Sequence, residues 1–163
     1  MADYQHVTHG FGPVFDENSR ILILGSFPSV KSREAAFFYG HPQNRFWKLL
    51  SRLYQEPLPE TVETRRAFLL RNHIALWDAI ESCDIIGSSD ASIKNVEPVD
   101  IMRILDVSPV QAIYGNGNKA CEMYRKYLEP VTGRPIITLP STSPANAAWS
   151  LEKLIDAWKI IDF

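Results

Sequence analysis

The sequence predicts an α/β fold, a parallel sheet covered on both faces by helices. Three observations predict it. Four short apolar runs, at 20–24, 74–77, 110–114 and 136–139, read as strands buried on both sides. Helical segments alternate with them, the order of strands joined by crossover helices. The 163 residues, 45% hydrophobic and 22% charged, have the length and composition of one domain, 1–163, with a sizeable core.

Residues 1–19, with Gly10, Gly12 and Pro13, read as an N-terminal arm. The first strand, Arg20-Ile-Leu-Ile-Leu24, ends at Gly25 and opens into a loop to about Gln43. Asn44 can cap a helix over 44–54 that buries Phe46, Trp47, Leu49, Leu50 and Leu53. Pro57 and Pro59 break it, and a second helix over 60–71 buries Val62, Phe68 and Leu69. After the second strand, the Ser-, Asp- and Gly-rich stretch 81–95 reads as a loop, and Pro98 opens a short helix through Leu105. The third strand leads to a helix over 118–128, and the fourth to Pro140-Ser-Thr-Ser-Pro144 and a last helix over 147–158.

Composition narrows the function. No apolar run approaches the ~18 residues of a membrane span. The polar first ten residues do not form a signal peptide. Two cysteines, Cys83 and Cys121, are too few for a disulfide framework or an iron–sulfur cluster and predict a reducing, cytoplasmic home. A net charge of −2 gives no global attraction to nucleic acid. The basic residues Arg20, Lys31, Arg33, Arg45, Lys48 and Arg52 are nonetheless gathered in one stretch, which suits an anionic partner.

Ligands of such sheets bind beyond the carboxyl ends of the strands. Three loops there are rich in small and polar residues: 25–44, 115–118 and 140–146. Gly25-Ser26-Phe27-Pro28-Ser29 is a rigid turn that either holds a phosphate or polar base edge or simply joins strand to helix. It lacks the Gly-x-Ser-x-Gly of a nucleophile elbow. Phe37-Phe38-Tyr39 puts three aromatics in a row, one of which is expected to face a cavity and stack on a planar ligand. Asn44 either caps its helix or positions a water or a carbonyl. Gly115-Asn-Gly-Asn-Lys-Ala120 formally fits a dinucleotide turn, but the next strand ends at Thr138-Leu139 without the acid such a site needs. A tight turn capped by Asn116 or Asn118 is the simpler reading, with a nucleotide-binding protein as its competitor. In the last loop, Pro144 and Ala145 are stiff and small enough to wedge into a base stack. His6 and His9 have no carboxylate or cysteine close in sequence, so no metal is expected.

Taken together, these loops resemble the uracil-DNA glycosylase superfamily from Arg20 to Trp158. Tyr39-Gly-His-Pro-Gln-Asn-Arg-Phe-Trp47 is similar to a segment of its mismatch-specific enzymes, and Leu139-Pro140 with Ser143, followed by Ser150-Leu-Glu-Lys-Leu154, resembles its second motif. Mismatch-specific enzymes carry Gly-x-Asn-Pro after the first strand, where the Asn positions the attacking water; here that place is held by Phe27. Gly25-Ser-Phe-Pro-Ser29 instead resembles the hypoxanthine-DNA glycosylase branch, in which the Asn of the later segment, Asn44 here, is implicated in catalysis.

The resemblance implies a three-layer sandwich with a four-stranded parallel sheet of order 2-1-3-4. It implies a monofunctional, monomeric enzyme that needs no metal or organic cofactor and acts on deoxyinosine- or uracil-containing DNA. Tyr39 is then expected to stack on a flipped base, Phe27 to wall the pocket, and Gly25, Ser26, His41 and Ser143 to complete it. Pro144, Ala145 and Asn146 would fill the gap left in the duplex, with Ser29, Lys31, Asn118, Lys119 and Ser141 near phosphates. The competing readings are a uracil or thymine mismatch glycosylase of the same fold and a non-catalytic lesion-binding module.

Overall fold

The computed structural model describes residues 3–161. Its centre is a four-stranded, all-parallel sheet of β2 (Ile21–Gly25), β3 (Ile74–Asp78), β6 (Ala112–Asn116) and β7 (Ile137–Leu139), in the spatial order β3-β2-β6-β7. Numbering only these four along the chain, the order is 2-1-3-4, as expected. Every residue of β2 and β3 is buried. Alternate side chains of a strand point to opposite faces, so both faces of the sheet must be covered. Helix α3 (Val62–Arg71) packs on β3, and α5 (Asn118–Met123) packs on β2, β6 and β7. Helix α2 (Phe46–Tyr54) packs against α7 (Leu151–Trp158), which completes a three-layer α/β sandwich.

The register decides what meets at the carboxyl edge. Gly25 pairs with Asp78, Leu24 with Gly115, and Asn116 with Leu139. Four chain segments therefore leave the sheet side by side, led by Gly25, Asp78, Asn116 and Leu139.

Several local expectations are corrected. The supposed arm carries β1 (Gln5–Thr8), and the supposed loop after Trp77 carries β4 (Ile80–Ile85) and β5 (Lys94–Pro98). They form a separate antiparallel sheet, β1-β4-β5, while Val14 bridges to Leu76 of the central sheet. Pro98 ends a strand instead of opening a helix, and α4 is confined to Met102–Leu105. The first loop contains a short helix, α1 (Val30–Ala35), capped by Ser29, whose hydroxyl accepts the Ser32 N–H. Arg45, not Asn44, occupies the cap position of α2, although Asn44 Oδ1 still accepts the Phe46 N–H at 3.0 Å. Gly117, not Asn116 or Asn118, precedes α5, at a φ of 94° that favours glycine. The chain then widens into a π turn at Tyr124–Leu128 and closes with α6 (Glu129–Thr132). On α3, Phe68 and Leu69 are buried but Val62 is exposed.

Two indoles fix the loops that leave this frame. Trp47 on α2 donates its ring N–H to the Phe38 carbonyl at 3.2 Å, and Trp158 on α7 donates to the Pro140 carbonyl at 3.0 Å. Both rings are buried, so each bond also meets the need of a polar group removed from water.

Candidate active site

The three loops singled out by sequence do converge. A cavity of about 360 Å³ opens at the carboxyl edge of the parallel sheet. Its wall includes Gly25, Ser26, Phe27 and Ser29 from the first loop, then Tyr39, His41 and Asn44. Ser141, Ser143, Pro144 and Ala145 close it from the last loop. Lys31, Asn118, Lys119 and Asn146 lie outside this wall. Lys31 approaches Glu34 at 3.6 Å and Lys119 approaches Glu122 at 3.9 Å. Asn118 is exposed at the start of α5. Asn146 is half-buried within its loop, where its amide donates to the Ser141 carbonyl at 3.0 Å.

The floor of the cavity is tightly built. Gly25 is required there, because a Cβ would run into Asp78 Oδ1 and come within 3.0 Å of the Tyr39 hydroxyl. Tyr39 itself has a φ of 52°, a left-handed conformation uncommon for a bulky residue. Its ring packs edge-on against Phe46 at 4.2 Å, and its hydroxyl is buried near the Asn116 side chain without a well-formed hydrogen bond. Burial, helped by the nearby Asp78 carboxylate, pushes the Tyr39 hydroxyl well above the ordinary tyrosine range, so it is a neutral O–H.

Asp78 was not legible as a site residue. It is 4% exposed and lines the cavity. Its Oδ2 accepts a hydrogen bond from His9 Nε2 at 2.8 Å, while His9 Nδ1 faces the Phe11 N–H at 3.5 Å. That arrangement assigns the ring proton to Nε2. Oδ1 makes no hydrogen bond among the described residues and remains an acceptor at the cavity floor. The fold thus brings a carboxylate to each histidine of this segment, since His6 Nδ1 likewise lies 2.8 Å from Asp84.

Asp90, also missed, sits at the rim. The residue is exposed overall, but its carboxylate stands against the cavity wall and accepts the Ser26 hydroxyl at 2.9 Å. Desolvation there raises its pKa; the Ser26 bond and Lys119 oppose the rise, and Asp78 adds to it.

A chain of polar contacts joins Asn44 to the edge of the sheet. Asn44 Oδ1 accepts the Thr142 hydroxyl at 2.8 Å as well as the Phe46 N–H. Asn116 meets Thr142 twice: its Nδ2 donates to Oγ1 and its Oδ1 accepts the Thr142 N–H, both at 3.0 Å. Thr142 is fully buried. Next to Asn44, the Arg45 guanidinium donates to the carbonyls of Ser143 (2.8 Å), Asn146 (3.0 Å) and Trp149. One motif thus sends an amide into the cavity and a cation under the opposite loop.

The model of the uracil DNA glycosylase superfamily matches residues 13–162. A hypoxanthine DNA glycosylase of Methanosarcina barkeri, strain Fusaro, is 37% identical over 151 residues, which cover 91% of this chain and 94% of that protein. A hypoxanthine DNA glycosylase of Methanosarcina acetivorans is 37% identical over 146 residues, covering 88% and 91%. The chain is also similar to a solution NMR structure from Methanosarcina acetivorans described as a candidate uracil DNA glycosylase. That match has a TM-score of 0.76 and 33% identity, and covers 93% of this chain and 96% of the other.

Proposed function

The chain belongs to the uracil DNA glycosylase superfamily, and on that premise we propose that it hydrolyses the N-glycosidic bond of a deaminated base, hypoxanthine, flipped out of DNA. One observation carries the reading. One cavity is lined by Asn44, by the aromatic residues Phe27 and Tyr39, and by the buried Asp78. Its volume, about 360 Å³, lies at the small end of ligand pockets, ~300–1,000 Å³, and suits one nucleotide unit instead of a dinucleotide.

The chemistry follows from the lining. A base inside a duplex is out of reach and must be extruded, which costs stacking and pairing energy. The Tyr39 ring offers a face on which the extruded base stacks. Hypoxanthine carries a lactam edge, an N–H beside a carbonyl. Asp78 Oδ1, an acceptor with no other partner among the described residues, suits that N–H, whereas the ring nitrogen of adenine in the same place would meet it lone pair to lone pair. Pro144 and Ala145, at the rim on a loop braced by Arg45, are placed to occupy the gap left in the stack. Ser29 and Ser141 on the cavity wall, with the exposed Lys31 and Asn118, are the proposed contacts to DNA phosphates.

In the reaction, the C1′–N9 bond breaks with its electron pair leaving on the base, and the sugar develops oxocarbenium character. A water oxygen then bonds to C1′, and its proton leaves to solvent. The protein's share is to orient these groups and to receive the charge that moves onto the base.

The names of the two relatives and the presence of Phe27 where a water-positioning Asn stands in mismatch-specific enzymes favour hypoxanthine over uracil. The test is a single-turnover assay of Asn44→Ala on a deoxyinosine duplex. The expected result is a rate lower by about 100-fold or more, with an unchanged circular dichroism spectrum and melting temperature. Equal rates for variant and wild type would remove Asn44 from the mechanism.

A further inference from the structure

Asn44 has two faces, a carbonyl that accepts and an amide that donates, and the structure dictates which one the cavity meets. The chain of contacts begins and ends on backbone N–H groups, which can only donate. The Thr142 N–H requires Asn116 Oδ1, so Asn116 Nδ2 is turned onto the Thr142 hydroxyl. One lone pair of that hydroxyl is engaged by Asn116, and its O–H donates onward to Asn44 Oδ1 at 2.8 Å. From the other side the Phe46 N–H reaches the same oxygen at 3.0 Å. A flipped Asn44 would set NH2 against the Phe46 N–H, which can only donate, and would forfeit the bond that the Thr142 O–H donates. Both acceptor positions of Oδ1 are therefore filled. Nδ2 has no hydrogen-bond partner among the described residues and is not sealed in the interior, while Asn44 lines the cavity.

We propose that Thr142 and Asn116 are positioning residues that lock the polarity of Asn44, so that it offers the cavity N–H donors and no acceptor. The lock can be measured on the free protein; that it serves excision rests on the reading above. A donor of this kind cannot take a hydrogen bond from the attacking water. Pointed at a water, it would draw on the oxygen's lone-pair density and lower its nucleophilicity toward C1′. It is suited instead to an acceptor atom of the departing purine, whose negative charge grows as the bond breaks. Asn44 thereby acts on the leaving group, and Thr142, whose buried hydroxyl is engaged by Asn116 and Asn44, acts through Asn44.

The first measurement is side-chain amide hydrogen exchange by NMR on the free wild-type protein. The expected pattern is fast exchange at Asn44 Nδ2 and protection at Asn116 Nδ2; protection at Asn44 Nδ2 would overturn the proposal. The second measurement is single-turnover excision of deoxyinosine by three variants. Thr142→Val keeps the shape and removes the hydroxyl, and is expected to slow excision by about tenfold or more without weakening binding to an abasic product duplex. Thr142→Ser restores most of that loss. Asn44→Asp keeps acceptors for Phe46 and Thr142 but turns a carboxylate oxygen to the cavity. It is expected to be as slow as Asn44→Ala at neutral pH and to recover as the pH falls and the carboxyl becomes protonated. An Asn44→Asp enzyme as fast as wild type at neutral pH, or a Thr142→Val enzyme with an unchanged rate, would overturn the proposal. A wild-type protein inactive on deoxyinosine but with the expected exchange pattern would overturn the assigned substrate and leave the lock standing.

Discussion

Tyr39 concentrates unfavourable features in one residue: a φ of 52°, a buried hydroxyl without a well-formed hydrogen bond, and a carboxylate close by. Such strain persists only where the surroundings over-determine it, and it gathers at functional sites. From the stacking role proposed for its ring, Tyr39→Ala is expected to weaken binding to a deoxyinosine duplex by ~1–3 kcal/mol, measured by fluorescence titration with Asn44→Ala as the inactive background. Asp90 has the opposite signature, a carboxyl whose pKa is raised by desolvation. The folded state then binds its proton more tightly than the unfolded state does. The cost of the ionised form is present above the folded pKa and relieved as the pH falls through it, toward the ordinary carboxylate range. Asp90→Asn removes that dependence. Urea midpoints at pH 4 and pH 7 should lie closer together in the variant, once the background set by the other carboxylates is subtracted; identical pH dependence would contradict the assignment. At this scale the sequence was legible where residues are grouped in a motif, as in Tyr39 to Trp47. Asp78, Asn116, Thr142 and His9 gave no local signal, because each acquires its meaning from a distant partner: His9 and Asp78 are 69 residues apart.

Among the elements, α2 does more than fill the core. Its buried face of Phe46, Trp47, Leu49 and Leu50 was readable from helical spacing. Less readable was that the residues just before it, Asn44 and Arg45, bind the loop some hundred positions later. Arg45 gathers three carbonyls of the 143–149 loop, and its own N–H donates to the Thr142 carbonyl at 3.1 Å. Arg45→Met keeps the apolar stem but leaves those carbonyls unpaired. It is expected to lower stability by about 2–4 kcal/mol in urea unfolding and to raise protease cleavage within 143–149. Unchanged stability would show that the clamp holds nothing. The antiparallel sheet was the main element missed. β5 is exposed or half-exposed along its whole length, and β4 carries Glu, Ser and Asp between its apolar residues. Such segments look like loops until β1 and β5 are brought alongside β4, with register shifts that blur the period-two pattern.

Seen whole, the molecule is a parallel sheet whose register delivers Gly25, Asp78 and Asn116 to one edge, with a second sheet that brings His9 under that edge. The parallel sheet was legible because its strands are continuous apolar runs separated by helices. The site was legible in outline because ligands of such sheets collect at the carboxyl ends. What spacing alone did not reveal is polarity: which face of Asn44, and which oxygen of Asp78, the cavity meets. No helix among the described residues is long and apolar enough to cross a membrane. The central claim is that this cavity accepts hypoxanthine from DNA and releases it. The most direct measurement incubates excess wild-type protein with duplexes carrying one deoxyinosine or one deoxyuridine, follows alkali-labile strand breaks, and identifies the freed base by mass spectrometry. Free hypoxanthine and a break at deoxyinosine are expected, with little or none at deoxyuridine. Release of uracil alone, or intact strands in both duplexes, would contradict that claim.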